Sequence, residues 1–99
     1  MKLDEMIAKQ ALQQMHWYDT RNIAPQERTA WTDELLLGMY EEVGELARAI
    51  RSRTHVVPER PTEGNVTEEV VDVLKYLFAL ADLHGLKASD IHERFIAKT

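Results

Sequence analysis

Apolar residues recur at helical intervals along most of the chain, and no stretch alternates with the period of a half-buried strand. Leu3, Ile7, Ala11 and Tyr18 give one face to a first helix predicted from Leu3 to Tyr18, and Met6, Leu12 and Met15 widen it. Thr20-Arg21-Asn22-Ile23-Ala24-Pro25 reads as a loop, marked by its proline. A second helix is predicted from an N-cap at Thr32, with Asp33 and Glu34 in its first turn. Leu36, Met39, Val43, Leu46 and Ile50 form its apolar stripe. It should end near Arg53, where Arg48, Arg51 and Arg53 suit the negative end of the helix dipole. Residues 55–66 hold Pro58, Pro61 and Gly64 and read as a loop. A third helix is predicted from Asn65 or Thr67 to His84, with Gly85 closing it. Val70, Val71, Val73, Leu74, Leu77, Phe78, Leu80 and Leu83 make it apolar nearly all round, so it belongs at the centre of a bundle or against a second subunit. A short fourth helix follows Ser89 and carries Ile91, Phe95 and Ile96. The fold class is therefore all-α, a four-helix-bundle-like arrangement whose core is expected to be completed by oligomerisation.

Two acidic motifs interrupt this apolar pattern. They are Glu41-Glu42-Val43-Gly44-Glu45 and Glu68-Glu69-Val70-Val71-Asp72. Helix residues turn by about 100° each. Glu42 and Glu45 therefore share a stripe beside the core face of the second helix, and small residues, Gly38 and Ala49, project close to it. Glu69 and Asp72 repeat the arrangement on the third helix, with Tyr76 between them in direction, one turn on. Two facing helices would bring four carboxylates together beneath a tyrosine ring. Like charges so placed repel, and a divalent cation removes the cost. Oxygen-only ligands suit hard ions, so Mg²⁺ is expected, with Mn²⁺ as the substitute. A di-iron bundle would need histidines three residues after these glutamates, and His16, His55, His84 and His92 stand elsewhere. A single Glu-x-x-Glu would read as a solvated acidic face. Two of them, each flanking a core stripe on a different helix, read as a metal site.

Composition narrows the partners. The 99 residues carry no obvious linker, and residues 1–99 read as one domain. A net charge of -5 argues against nucleic-acid binding, so any phosphate must be attracted by something other than net charge, such as a metal. The absence of cysteine excludes disulfides and thiolate metal sites. No apolar run approaches the ~20 residues of a membrane span, and the acidic, interrupted first residues do not form a signal peptide. A cytoplasmic location, with no membrane partner, is expected.

The paired motifs, Glu42-Val43-Gly44-Glu45 and Glu69-Val70-Val71-Asp72, resemble those of the all-α nucleoside triphosphate pyrophosphatases, which include MazG-like proteins, dimeric dUTPases and dCTP pyrophosphatases. Glu41 and Glu68 resemble the extra leading glutamates of MazG-like members, and Asp72-Val73-Leu74-Lys75-Tyr76-Leu77 carries the tyrosine one turn past the aspartate. The likeness runs from about Leu36 to Gly85. It implies a MazG-type fold and Mg²⁺-dependent hydrolysis of a nucleoside triphosphate to the monophosphate and pyrophosphate. Glu42, Glu45, Glu69 and Asp72 would hold the metal, which neutralises charge on the triphosphate and polarises water for in-line attack. Glu41, Glu45 and Glu68 are the candidate bases, and the sequence does not choose among them. Lys75 is the candidate phosphate contact, weighed equally against an ion pair with Asp72 or Glu68. Tyr76 is a candidate for packing on sugar or base, against ordinary core packing. Trp17, Trp31 and, more weakly, His16 are candidates for a base-stacking wall, with a structural role favoured for both tryptophans. The resemblance further implies dimers or tetramers. It leads one to expect basic and polar residues after the last helix, of which Lys98 would be the first. The short end, Phe95-Ile96-Ala97-Lys98-Thr99, reads as a C-terminal truncation or as one domain of something larger. Two alternatives stand beside the main reading: a phosphoribosyl-ATP pyrophosphohydrolase, and a non-catalytic dimerisation or regulatory module that keeps its metal sites.

Overall fold

A computed structural model of the protein describes residues 2–54 and 63–99. Four helices follow one another: α1 (Leu3–Gln14), α2 (Pro25–Thr54), α3 (Glu63–Leu83) and α4 (Ala88–Lys98), with no strand among the described residues. The all-α expectation holds. Helix α3 packs along both α2 and α1, as its all-round apolar character requires, and α4 touches α1. Among the described residues no helix is long and apolar enough to cross a membrane.

The helix starts differ from expectation for local reasons. Pro25, read as the mark of a loop, is the first residue of α2, where its fixed φ suits a helix and its missing N–H is no loss. Thr32 is therefore no N-cap. It lies two turns inside, and its hydroxyl donates back to the Arg28 carbonyl at 2.8 Å. The loop before α2 is ordered by Asp19, whose carboxylate accepts from the Arg21 N–H at 3.0 Å and the Asn22 amide at 3.2 Å. Helix α1 stops at Gln14 rather than Tyr18, and α3 begins at Glu63, so Gly64 is helical. Pro58 and Pro61 lie outside the described residues. Ser89 sits within the first turn of α4 rather than before it. The end of α3 is as expected: Gly85 has φ +66°, the Leu86 N–H bonds the Ala81 carbonyl at 2.8 Å, and the Gly85 N–H bonds the Asp82 carbonyl at 3.0 Å. This is a Schellman closure.

Helices α2 and α3 run antiparallel. Thr32 meets His84 through a 2.8 Å hydroxyl–imidazole bond, and the Arg28 guanidinium donates to the Leu83 carbonyl at 3.1 Å. One turn or more along α2, Gly38 faces Tyr76; further on, Glu42 faces Asp72. The fixed register carries the two acidic motifs to the same level. Core residues Tyr18, Leu35, Ala79 and Leu83 lie towards the Thr32–His84 end, with Trp31, Tyr76 and Leu80 packed against them. The expected apolar stripes are only partly buried. Val43 and Ile50 on α2, Leu12 on α1 and Met15 just after it are exposed, while the buried positions of α1 are Ile7, Gln10 and Gln14. Two glutamines thus occupy inward positions where the periodicity suggested apolar residues.

Candidate active site

The acidic motifs meet where α2 and α3 face each other. Oxygens of Glu42, Glu69 and Asp72 lie within 4.8 Å of one another. One oxygen of Glu42 and one of Glu69 are buried without a hydrogen-bond partner. Both carboxyls are held above the usual carboxylate range. Burial is the larger cause, followed by the charges of Glu45 and Asp72. Buried acceptors without donors, repelling one another, form a set that a hard cation would satisfy. Glu45 is exposed and lies outside the tight trio, but its charge bears on both Glu42 and Glu69. Glu41 and Glu68 are exposed at the margins, where Glu41 acts on Tyr76 and Glu68 on Glu69.

Tyr76 stands above this cluster. Its phenol is pushed up by burial and then by the charges of Glu42, Glu41 and Asp72. The ring occupies the space left by Gly38: a Cβ at that position would lie 2.5 Å from the ring's Cε1 and hydroxyl oxygen. The room that small residues leave beside the carboxylates is therefore taken, at this level, by the tyrosine itself.

A cavity of about 340 Å³ opens beside the cluster, between α1, α2 and α3. Glu42, Asp72, Lys75 and Tyr76 line one side. Lys75 is exposed there, and no ion pair joins it to Asp72 or Glu68 among the described residues. The other side comes from α1 and the turn after it: Gln10, Gln13, Gln14 and Trp17. Trp17 is exposed and stacks on Trp31 with ring centroids 6.2 Å apart and an angle of 14°. Trp31 is a packing residue, 4.9 Å from the Tyr18 ring and set against the core, and it does not line the cavity. His16 and Lys98 are exposed and do not line it either. The glutamines were not singled out from the sequence. The available signal was Gln10-Ala11-Leu12-Gln13-Gln14, amides at helical spacing on a helix whose apolar face is sparse.

The fold and site define a helical protein with a carboxylate cradle at the edge of an interhelical cavity. Residues 32–99 match the MazG nucleotide pyrophosphohydrolase domain, and the chain belongs to that family. The crystal structure of iMazG from Vibrio DAT 722 is similar along its whole length, with a TM-score of 0.62, 28% sequence identity and 100% of each chain covered. No curated protein matches the chain.

Proposed function

We propose that this protein is a Mg²⁺-dependent nucleoside triphosphate pyrophosphohydrolase, a single domain acting in the cytoplasm on the nucleotide pool. The observation that carries the reading is the trio Glu42, Glu69 and Asp72, with unpartnered buried oxygens, at the edge of a cavity that Lys75 and Tyr76 also line. Glu42, Glu69, Asp72 and Glu45 would hold the metal, with Mn²⁺ as a substitute. When bound, the metal supplies charge neutralisation at the phosphates and lowers the pKa of water. Lys75 offers its ammonium to a phosphate oxygen at the same edge. Tyr76 limits water access from the core side and fixes the position of the sugar. Water oxygen attacks the α-phosphorus, the bond from that phosphorus to the α–β bridging oxygen breaks, and pyrophosphate leaves. The water proton passes to a carboxylate. Among Glu41, Glu45 and Glu68, Glu45 suits this role best, because its charge bears on both Glu42 and Glu69.

Self-association fits the same picture. Val70, Val71 and Leu77 on α3 and Phe95 and Ile96 on α4 are exposed, and no residue of α4 is buried. Apolar surface of this kind favours a dimer or tetramer.

Incubation with each common NTP and dNTP plus Mg²⁺ tests the function. Monophosphate and pyrophosphate are the expected products. Diphosphate and orthophosphate would contradict cleavage at the α-phosphorus. No turnover with intact Mg²⁺ binding would favour a non-catalytic module.

A further inference from the structure

A second cavity, of about 450 Å³, lies at the other end of the α2–α3 pair, where the first turn of α2 passes the last residues of α3. Arg21, Arg28, Asp82 and His84 line it with Thr20, and it shares no lining residue with the cavity beside the carboxylate cradle. Charges of both signs thus line one cavity without meeting: among the described residues no ion pair joins Asp82 to Arg21, Arg28 or His84. Asp82 is half-buried, and burial holds its carboxyl above the ordinary range against the opposing pull of the Thr20 hydroxyl. A cation beside it would remove that penalty. Near it the Tyr18 hydroxyl is buried with no hydrogen-bond partner, and the Asp82 charge bears on it. Arg28 is half-buried too. Its Nε donates to the Leu83 carbonyl at 3.1 Å, which fixes the guanidinium, while its two terminal amino groups have no acceptor among the described residues. A guanidinium held in this way presents the paired N–H groups that a carboxylate takes.

We propose that this cavity binds a small zwitterion, a free α-amino acid, whose carboxylate pairs with Arg28 and whose ammonium pairs with Asp82. A bare anion would be opposed by Asp82, and a bare cation by the two arginines; a ligand that carries both charges meets each with its complement. The helix ends have the same polarity. Because α2 and α3 are antiparallel, the positive N-terminal end of α2 and the negative C-terminal end of α3 lie at this one end of the pair. The first favours the carboxylate and the second the ammonium. Capping of α3 accounts for the Nε of Arg28 and leaves the unpaired Asp82 unexplained. Arg21 is exposed and lies 3.7 Å from Asp19, so it adds little. His84 has its Nε2 engaged by Thr32 at 2.8 Å. The volume lies in the range of small-ligand sites.

The test follows the backbone amide resonances of the full chain by NMR, with Mg²⁺ present, as each common L-amino acid is added to millimolar concentration. At least one should move the amides of Thr20, Arg21, His84 and Gly85 together and reach saturation. Its N-acetyl derivative lacks the ammonium and its carboxamide lacks the carboxylate, and each should bind at least about tenfold more weakly. Asp82→Asn keeps the shape of the side chain and removes a charge that burial disfavours, so circular dichroism should be unchanged. It should weaken the amino acid by at least about tenfold while the N-acetyl derivative binds no worse. Arg28→Met should remove the advantage of the amino acid over its carboxamide; where loss of the bond to Leu83 prevents folding, Asp82→Asn decides. The proposal is overturned if no amino acid moves these amides, if either derivative binds as tightly as its parent, or if affinity is unchanged in Asp82→Asn. Inorganic phosphate binding as tightly as the amino acid would also overturn it, as a plain anion site. None of these results bears on pyrophosphate release, so the pyrophosphohydrolase reading stands or falls separately.

Discussion

The two walls of the cavity are unfavourable in different currencies. On α2 and α3, Glu42 and Glu69 hold buried oxygens that no donor meets, beside the further charges of Glu45 and Asp72. On α1, Gln14 holds a buried oxygen that no donor meets, but it is neutral. The first wall is frustrated by charge, so metal, salt and protons all act on it. The second is frustrated by an unpaired amide, so a hydrogen-bond donor relieves it and charge does not. The family match itself, over residues 32–99, covers the charged wall and leaves α1 outside.

The largest expected effect breaks the charged wall alone. Glu42→Gln or Asp72→Asn should lower kcat by about a thousandfold or more, since a displaced metal forfeits several kcal/mol of charge stabilisation at the phosphates. Helicity should not change. Full activity in both variants would remove the metal assignment.

The same contrast explains what the sequence disclosed. The clustering of Glu42, Glu69 and Asp72 was legible, with Glu45 falling outside it, because charge at helical spacing beside an apolar stripe is rare without a reason, and because it occurs twice. Their meeting also needed the antiparallel register of α2 and α3, which the apolar pattern of α3 made natural. Gln10 and Gln14 were illegible because a glutamine is at home on a helix surface, and only burial distinguishes a lining amide from a solvated one. The start of α2 was missed because Pro25 serves a helix start as readily as a loop. Trp17 and Trp31, alike in the sequence, part in the structure: one lines the cavity and the other packs against Tyr18.

Within the charged wall, α2 meets α3 closely where Gly38 contacts Tyr76. Gly38→Ala places a methyl group at 2.5 Å from the ring, so the ring or the helix must move. Overpacking of this kind costs about 1–3 kcal/mol. Chemical denaturation should show the loss. Turnover of every nucleotide should fall together, since Tyr76 lines the cavity on the carboxylate side. A variant as stable as the wild type would show that the ring finds space elsewhere.

A smaller effect sharpens the comparison through pH. The folded-state pKa values of Glu42 and Glu69 lie above the ordinary 4.5. Between the unfolded and the raised folded values the native state binds more protons, so stability falls as pH rises through that window. The penalty is absent below the unfolded pKa and complete above the raised folded one. Without divalent metal, the thermal midpoint should therefore carry a component that declines from pH 4.5 upward, set against the rest of the protein's titration. Added Mg²⁺ should offset it at neutral pH by binding the native state. Glu42→Gln should flatten the decline. A slope that is the same with and without that side chain would show that the repulsion is relieved by solvent alone.

The smallest change belongs to the neutral wall. Gln14→Met keeps the length of the side chain and removes the orphaned oxygen, so the penalty of burying an unmet acceptor disappears. Stability should rise by about 1 kcal/mol, although a thioether that fits the wall poorly would reduce the gain. Unlike the effect of Glu42→Gln, this rise should be the same at pH 5 and pH 8 and with or without Mg²⁺, because nothing that titrates or binds metal has been altered. Stability gained would mean that Gln14 is not retained for what it packs. A loss of stability would instead place its amide among the groups that hold α1 against α3, and the neutral wall would then be structural.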